Sequence, residues 1–245
     1  MTTRMKSNIK EIYEQAAVVL LWWLCYLFGI LPRCVRYGVF APFVAFILRR
    51  VAHYRYDVII KQLHDSFPEK SEKDIREICR KSYCNLAEQI INTISKAGIS
   101  NEELLHRMDI HGVDEVAKII GEQSCVFLSA HFGPWEAGTT TSLSMPNHIT
   151  VGVYHPLKNR VMDELMKRIR THTRVELVPM KQTMRYFIQR SRQKPLIMGL
   201  IADQSPQRRA GQQWFKFLNQ WTAFFDGGEV LARKYNLPVI YFSPR

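Results

Sequence analysis

The largely apolar run Cys125-Val126-Phe127-Leu128-Ser129-Ala130 leads directly into the loop His131-Phe132-Gly133-Pro134-Trp135-Glu136. A short apolar run that ends at turn residues is typical of a strand buried on both faces of a sheet. The histidine follows the strand and a carboxylate lies five residues on, so the two can form a His–carboxylate pair within one loop. Gly133 allows that loop to turn tightly. We therefore predict a buried strand with a candidate site at its end.

Similar alternation continues on the C-terminal side of this strand. Further strands are predicted at 149–154, 175–178, 195–202 and 238–242, and helices at 136–143, 160–171, 183–192 and 229–235. A helix is also predicted from Ser71 to near Gly98, because Asp74 lies three residues after Ser71 as at a capped start. Strands that alternate with helices favour an α/β fold with a largely parallel sheet flanked by helices. In such sheets the sites lie at the carboxyl ends of the strands, where His131, His155 and Asp203 fall.

Composition narrows the class of partner. The chain has 245 residues, of which 47% are hydrophobic and 23% charged, which argues against disorder. Its net charge of +12 indicates an anionic partner: membrane phospholipid, nucleic acid or an acidic carrier protein. The sequence has no zinc pattern, no RNP-like segment and no recognisable helix-turn-helix, so nucleic acid is not expected. The five cysteines form no CxxC pair, which predicts reduced thiols on the cytosolic side and no metal site.

The N-terminal region is unusually apolar. Residues 15–32 carry no charge, a second apolar run covers 37–48, and basic residues flank both. We predict a membrane anchor over 1–51, as one tilted span or a shallow hairpin, and a second domain over 52–245. A signal peptide and a pair of buried core helices are the alternatives.

The residues around His131 limit the reaction classes that this site could catalyse. Ser129 is the hydroxyl residue close before His131, and it has no Gly-x-Ser-x-Gly setting, which disfavours a hydrolase with a serine nucleophile. A histidine base without a protein nucleophile would most naturally activate the hydroxyl of a bound substrate, as in acyl transfer. Glu136 would then orient the imidazole and stabilise its protonated form. The simpler alternative is a structural histidine beside a glutamate at a helix start.

Several ordered blocks extend this interpretation. The segment His131 to Glu136 resembles the H-x4-D/E block of glycerolipid-type acyltransferases. It is most similar to that of the bacterial lipid A late acyltransferases, whose usual form is His-Phe-Gly-Asn-Trp-Glu. Further blocks that resemble this family lie at 66–70, 153–159, 202–204, 223–227 and 231–234.

The resemblance implies a membrane-associated enzyme of the bacterial inner membrane, with its site on the cytoplasmic side. It would move a fatty acyl group from acyl carrier protein to a hydroxyl of a lipid A precursor. The implied co-substrate is an acyl thioester, with no other cofactor and no metal. The acceptor could also be another lysophospholipid or a glycolipid.

The resemblance also implies roles for individual residues. His131 and Glu136 take the catalytic positions, and the substrate-binding candidates are Gly133, Trp135, His155, Lys158, Arg170 and Asp203. The chain departs from the family pattern at Pro134, where asparagine is usual, and at His155, where arginine is common. The family normally continues some tens of residues beyond 237–242, so a truncated chain or a non-catalytic membrane protein stays open.

Two further groups have both a functional and an ordinary interpretation. Basic residues that could hold lipid phosphate or an acidic carrier, or simply form a solvated face, are Lys158, Arg160, Lys167, Arg168, Arg170, Arg174, Lys181, Arg185, Arg190, Arg192, Lys194, Arg208 and Arg209. Aromatic residues that could line an acyl channel, or belong to the core or an interfacial belt, are Trp214, Phe215, Phe217, Trp221, Phe224 and Phe225.

Overall fold

A computed structural model describes residues 3–108, 110–133, 135–206 and 212–243, without the side chains of residues 3–8 and Ala137. The α-helices of these ranges are α1 Thr3–Gly29, α2 Arg33–Val35, α3 Ala41–Phe46, α4 Tyr56–Ser66, α5 Glu72–Ser95, α6 Asn101–Arg107, α7 Val113–Ile120, α8 Thr141–Ser144, α9 Arg160–Thr171, α10 Thr183–Arg190 and α11 Gly227–Tyr235. The strands are β1 Cys125–Ser129, β2 Ile149–Tyr154, β3 Glu176–Pro179, β4 Leu196–Ile201, β5 Trp214–Phe217, β6 Gln220–Ala223 and β7 Val239–Tyr241. The chain folds as two compact units, one of residues 1–30, 93–201 and 227–245 and the other of residues 31–92 and 202–226.

The first unit is built on a five-stranded sheet with the order β3-β2-β4-β1-β7. All four pairings are parallel, and in the central pair Val126 aligns with Met198. Parallel neighbours need crossover connections, and the helices predicted between the strands supply them. The predicted fold class, a largely parallel sheet flanked by helices, is confirmed.

Both faces of the sheet are buried, which explains why its strands read as continuous apolar runs. Successive side chains of a strand point to opposite faces. Val126 and Met198 accordingly pack with Phe187 of α10 and Leu231 of α11. On the opposite face, Cys125 and Ile197 pack with Ile120 of α7 and with Met145.

Helix α1 belongs to this first unit and packs along α9. Its residues Leu21, Trp22, Cys25 and Tyr26 cover Ala97, Leu165 and Ile169. The guanidinium of Arg168 lies 4.5 Å from the Trp22 ring centroid, and Arg160 pairs with Glu14 at 3.4 Å. One face of α1 therefore stabilises the fold through ordinary apolar burial.

The other face of α1 is apolar and exposed. Its exposed side chains include Ile12, Tyr13, Leu20, Trp23, Leu24 and Leu27. Residues Ile9–Gly29 are long and apolar enough to cross a membrane, with a mean hydropathy of 1.4. The division into an anchor over 1–51 and a domain over 52–245 stays a prediction.

The second unit contains the other N-terminal apolar run. Its helical turns widen to π-helix at Arg36–Phe40 and Ile47–Val51. Pro42 lies between them at the start of α3 and has no N–H to donate to the preceding turn, which accounts for the irregular hydrogen bonding before it. Val39, Phe43 and Phe46 are exposed, so this run is not a buried core helix.

The remainder of the second unit comprises α4, most of α5 and the β5–β6 hairpin. Helix α5 begins as predicted, with the hydroxyl of Ser71 accepting from the Asp74 amide at 3.3 Å. The hairpin turns through Leu218 and Asn219, which both have positive φ. Asn219 donates to the Ser66 carbonyl at 3.1 Å. Most of the aromatic side chains of the hairpin are exposed, so they do not form a core.

Candidate active site

The loop that follows β1 is shaped by one glycine. Gly133 has φ +56°, a left-handed conformation that other residues adopt only at a cost. The amide of Trp135 donates to the Gly133 carbonyl at 2.9 Å and closes the turn. The predicted role of Gly133 in a tight turn is confirmed, and its substrate contact stays a prediction.

Beyond this turn the chain enters a 3-10 helix, Trp135–Thr140, and then α8. The predicted helix over 136–143 is therefore tighter than an α-helix in its first half. A glycine and consecutive β-branched residues disfavour α-helix here. The hydroxyls of Thr139, Thr141 and Ser142 donate to carbonyls three residues back, which supports the tighter turn.

His131 is exposed just beyond the carboxyl end of β1, as predicted from its place after the strand. Its ring packs edge-on against Trp135, with the ring centroids 4.8 Å apart. The Arg170 guanidinium lies 6.0 Å from the centroid of the same Trp135 ring. Trp135 is thus in ring contact with the candidate base and with a cation.

Glu136 lies inside the protein, with 3% of its surface exposed. Its carboxylate accepts hydrogen bonds from Arg170, whose Nε lies 3.0 Å from Oε1 and 3.2 Å from Oε2 and whose Nη2 also donates to Oε1. Such a forked, charge-assisted contact is the strong form of this ion pair. Arg170, predicted as a substrate-binding residue, is therefore engaged with the carboxylate predicted to orient His131. The pairing of Glu136 with His131 stays a prediction.

A second cation reaches the same segment. Lys96 follows α5 and is also 3% exposed. Its ammonium donates to the Glu136 carbonyl at 3.1 Å and to the Thr139 hydroxyl. Burial lowers the pKa of Lys96 to about 8; the charge of Glu136 opposes this shift and that of Arg170 adds to it.

Sequence reasoning did not single out Lys96. A signal was present, because buried positions recur every four residues along α5 from Ile75 through Cys79, Tyr83, Ala87 and Ile91 to Ser95. A lysine that directly follows such a stripe, and precedes Ala97 and Gly98, falls where the chain is closely packed.

The other predicted site residues follow the carboxyl ends of β2 and β4. His155 follows β2, is exposed, and its Nδ1 lies 3.0 Å from the Pro156 carbonyl. Lys158 is exposed in the same loop. Two side chains order this loop: Asn159 caps α9, and Asp163 accepts a hydrogen bond from the Leu157 amide at 2.7 Å. Asp203 is exposed and belongs to the second unit. For these three residues, substrate contact stays a prediction.

Several of the basic residues are engaged in ion pairs. Lys167 pairs with Asp163 at 2.8 Å, and Arg190 pairs with Glu176 at 2.6 Å. These cations serve local structure as well as the overall positive charge. Arg208, Arg209 and Pro134, which the sequence analysis also considered, lie outside the described residues.

A cleft of about 800 Å³ lies between α1 and α9. Apolar side chains of α1 line one part of it, including Val18 and Val19, and charged residues such as Arg160 and Lys167 line another. Its size falls in the range of small-molecule sites.

An exposed imidazole follows the strand end, and five residues later a buried carboxylate is fixed by an arginine, which are the groups that base-assisted transfer uses. A family model for bacterial lipid A biosynthesis acyltransferases matches residues 4–245. A comparison with curated proteins finds no match. The matched residues span both units and the whole candidate site. The chain therefore belongs to the bacterial lipid A biosynthesis acyltransferase family.

Proposed function

We propose that this protein is a membrane-associated acyltransferase that moves a fatty acyl group from acyl carrier protein to a hydroxyl of a lipid A precursor. One observation carries the proposal. His131 is exposed beyond a strand end, while Glu136 on the same loop is buried and fixed by Arg170. Family membership supports the reaction class, and this geometry supports the choice of residues.

In the proposed mechanism, a neutral ring nitrogen of His131 accepts the proton of the lipid hydroxyl as its oxygen attacks the thioester carbonyl. The tetrahedral intermediate then collapses, the carbon–sulfur bond breaks, and the departing thiolate takes the proton from the imidazolium. The products are the acylated lipid and the free carrier thiol. General-base assistance of this kind is worth about 10²- to 10⁴-fold in rate.

Glu136 is proposed to stabilise the imidazolium that forms. A carboxylate can accept about four hydrogen bonds, so the forked contact with Arg170 leaves capacity on its oxygens. Arg170 holds the carboxylate in one orientation while the loop carries His131. Arg170 is therefore proposed to act mainly through Glu136.

Membrane association is proposed to use α1. Its inner face packs on α9, while Leu20, Trp23 and Leu24 face outward. A helix fixed along a domain by one face and apolar on the other suits the interfacial zone of a bilayer. We place the protein at the bacterial inner membrane with its site on the cytoplasmic side, where the acyl carrier protein is found.

The cleft between α1 and α9 is proposed to receive part of a lipid, because apolar and charged side chains meet there. The net charge of +12 favours both an acidic carrier protein and anionic phospholipid.

The test is transfer of a radiolabelled acyl group from acyl carrier protein to a lipid A precursor by the purified protein. His131→Ala should lower turnover by at least about 100-fold while membrane binding and folding persist. His64→Ala is the matched control, since His64 is a surface residue paired with Glu72. Turnover by His131→Ala close to that of the control would refute the assignment.

The acceptor is tested separately by mass spectrometry of membrane lipids with active protein and with His131→Ala. An acyl chain on lipid A that depends on His131 supports the proposed acceptor. A change confined to phospholipids or other glycolipids would refute it and identify a different acceptor.

A further inference from the structure

Lys96 makes contacts that suggest a role beyond packing. Its ammonium holds the Glu136 carbonyl at 3.1 Å and bonds the Thr139 hydroxyl, which itself donates to that carbonyl at 2.9 Å. These bonds hold the first turn of the 3-10 helix that carries Trp135. Since the His131 ring packs against Trp135, Lys96 acts on the surface that supports the candidate base.

Burial of this lysine opposes stability at neutral pH. Taking an ammonium out of water is costly, and Arg170 adds a second positive charge nearby. Removing Lys96 would leave the Glu136 carbonyl bonded to Thr139. The Lys96 ammonium is costly to bury, and the Glu136 carbonyl would keep a hydrogen bond without it. Function therefore explains this lysine better than stability does.

Helix α1 determines where Lys96 lies. The turn Lys96–Gly98 meets the end of α1 by direct backbone contact at Gly29 and Gly98. A Cβ on Gly98 would lie 2.9 Å from the Gly29 Cα and closer still to the Tyr26 carbonyl. A Cβ on Gly29 would lie 2.7 Å from the Gly98 Cα. Any side chain at either position must push α1 and the turn apart.

We infer that Lys96 is a positioning residue for acyl transfer, and that α1 holds it in place through the Gly29–Gly98 crossing. This inference rests on the function proposed above. It makes the helix with the candidate membrane-contacting face a structural part of the active site. Displacement of α1 would move the turn, release the Glu136 segment and misplace His131.

Two charged side chains and one hydroxyl surround the Lys96 ammonium. Glu136 and Arg170 are the charged groups that act on it, and Thr139 supplies a hydroxyl. The titratable residues that α1 packs on this region are Cys25 and Tyr26.

The experiment measures kcat and acceptor KM for the full chain in lipid nanodiscs. Lys96→Met should lower kcat about 10- to 100-fold with KM changed less than about threefold, since displacement of a catalytic group by about 1 Å can cost 10²-fold. Lys61→Met is the matched control, because Lys61 is exposed and forms a surface pair with Asp65. Lys96→Met should unfold in urea at a concentration no lower than the parent.

Gly98→Ala should reproduce the loss of kcat while the protein stays bound to the nanodisc. Gly38→Ala is its control, since a Cβ there meets nothing within 4 Å. Because both changes act through one contact, Lys96→Met with Gly98→Ala should be less than threefold slower than Lys96→Met alone. The inference would be overturned if the kcat losses of the two single variants multiplied in the double variant. It would also be overturned if the variants raised the acceptor KM and kept the parental kcat.

His131→Ala is measured in the same assay. If it abolishes turnover while Lys96→Met and Gly98→Ala retain parental kcat, the inference fails and the proposed function stands. If His131→Ala itself retains parental turnover, the proposed function fails.

Discussion

Removing the guanidinium of Arg170 should expose the energetic cost of burying Glu136. In the Arg170→Met variant, the Glu136 carboxylate stays almost fully buried but loses its forked hydrogen bonds. Opposite charges about 4 Å apart attract by about 4 kcal/mol at an effective dielectric constant of 20. Removing one partner of a buried pair typically costs about 3 to 5 kcal/mol. We expect a loss near the lower figure, about 3 kcal/mol, because Lys96 remains close by.

The reverse substitution should cost less. In Glu136→Gln, Arg170 keeps a side chain that is 20% exposed and can be hydrated, and glutamine can still accept one bond. We expect a loss of about 1 to 2 kcal/mol for this variant. Because the double variant no longer buries a carboxylate without its guanidinium, it should be more stable than the sum of the single losses predicts, by at least about 1.5 kcal/mol.

Urea unfolding in detergent, followed by tryptophan fluorescence, gives the free energies for this double-mutant cycle. Arg168→Met is the control on the same helix. It removes a cation stacked on Trp22 and should cost only about 0.5 to 1 kcal/mol. Losses of Arg170→Met and Glu136→Gln that add within about 0.5 kcal/mol would show that the two side chains do not depend on each other.

Three further results are expected. Gly133→Ala should destabilise the protein by about 1 to 2 kcal/mol in thermal unfolding, because φ is +56°, whereas Gly133→Asn should cost less; equal losses would contradict this reason. The pKa of Lys96 is about 8 in the folded protein and 10.5 for an unperturbed lysine, so the unfolded chain binds one more proton than the folded protein between these pH values. Stability should therefore rise, by at most about 3 kcal/mol, as pH increases from 8 to 10.5, and this slope should shrink in Lys96→Met. Leu20→Glu with Leu24→Glu should weaken cosedimentation with phospholipid vesicles without changing the urea midpoint, and unchanged cosedimentation would exclude this face of α1 from membrane contact.

Elements buried on one or both faces could be predicted from periodicity. Strand Ile149–Tyr154 and helix Arg160–Thr171 were predicted residue for residue, because each has an apolar pattern that ends at polar or turn residues. Helix α6 was missed although a signal was present: Ser100 accepts from the Glu103 amide at 3.1 Å, the first half of a capping box.

The β5–β6 hairpin lacked such signals. Its strand Trp214–Phe217 is exposed along its length, so burial imposes no alternation on it. Its turn uses Leu218 and Asn219 where Asn-Gly would be the usual mark of a two-residue hairpin. A local pattern therefore gave no reason to predict two strands there.

In the candidate site, too, some features could be predicted from local sequence and others could not. The positions of His131 and Gly133 depend on a strand end and its turn, which local sequence can indicate. The partners of Glu136 are Arg170, on a helix three elements later, and Lys96, which follows a helix much earlier in the chain. Such long-range pairs follow from how the helices pack, and one sequence does not encode them in any local spacing.

The packing of α1 on α9 has a consequence for synthesis. Roughly 140 residues separate the end of α1 from the end of α9, which bacterial ribosomes would translate in about 7 to 30 seconds. During that interval Leu21, Trp22 and Tyr26 lack the part of their partner surface that α9 supplies, since Leu165 and Ile169 have yet to emerge. If α1 contacts the membrane as proposed, the face that later packs on α9 would also lie in the lipid interface during this time, and docking on α9 would withdraw it.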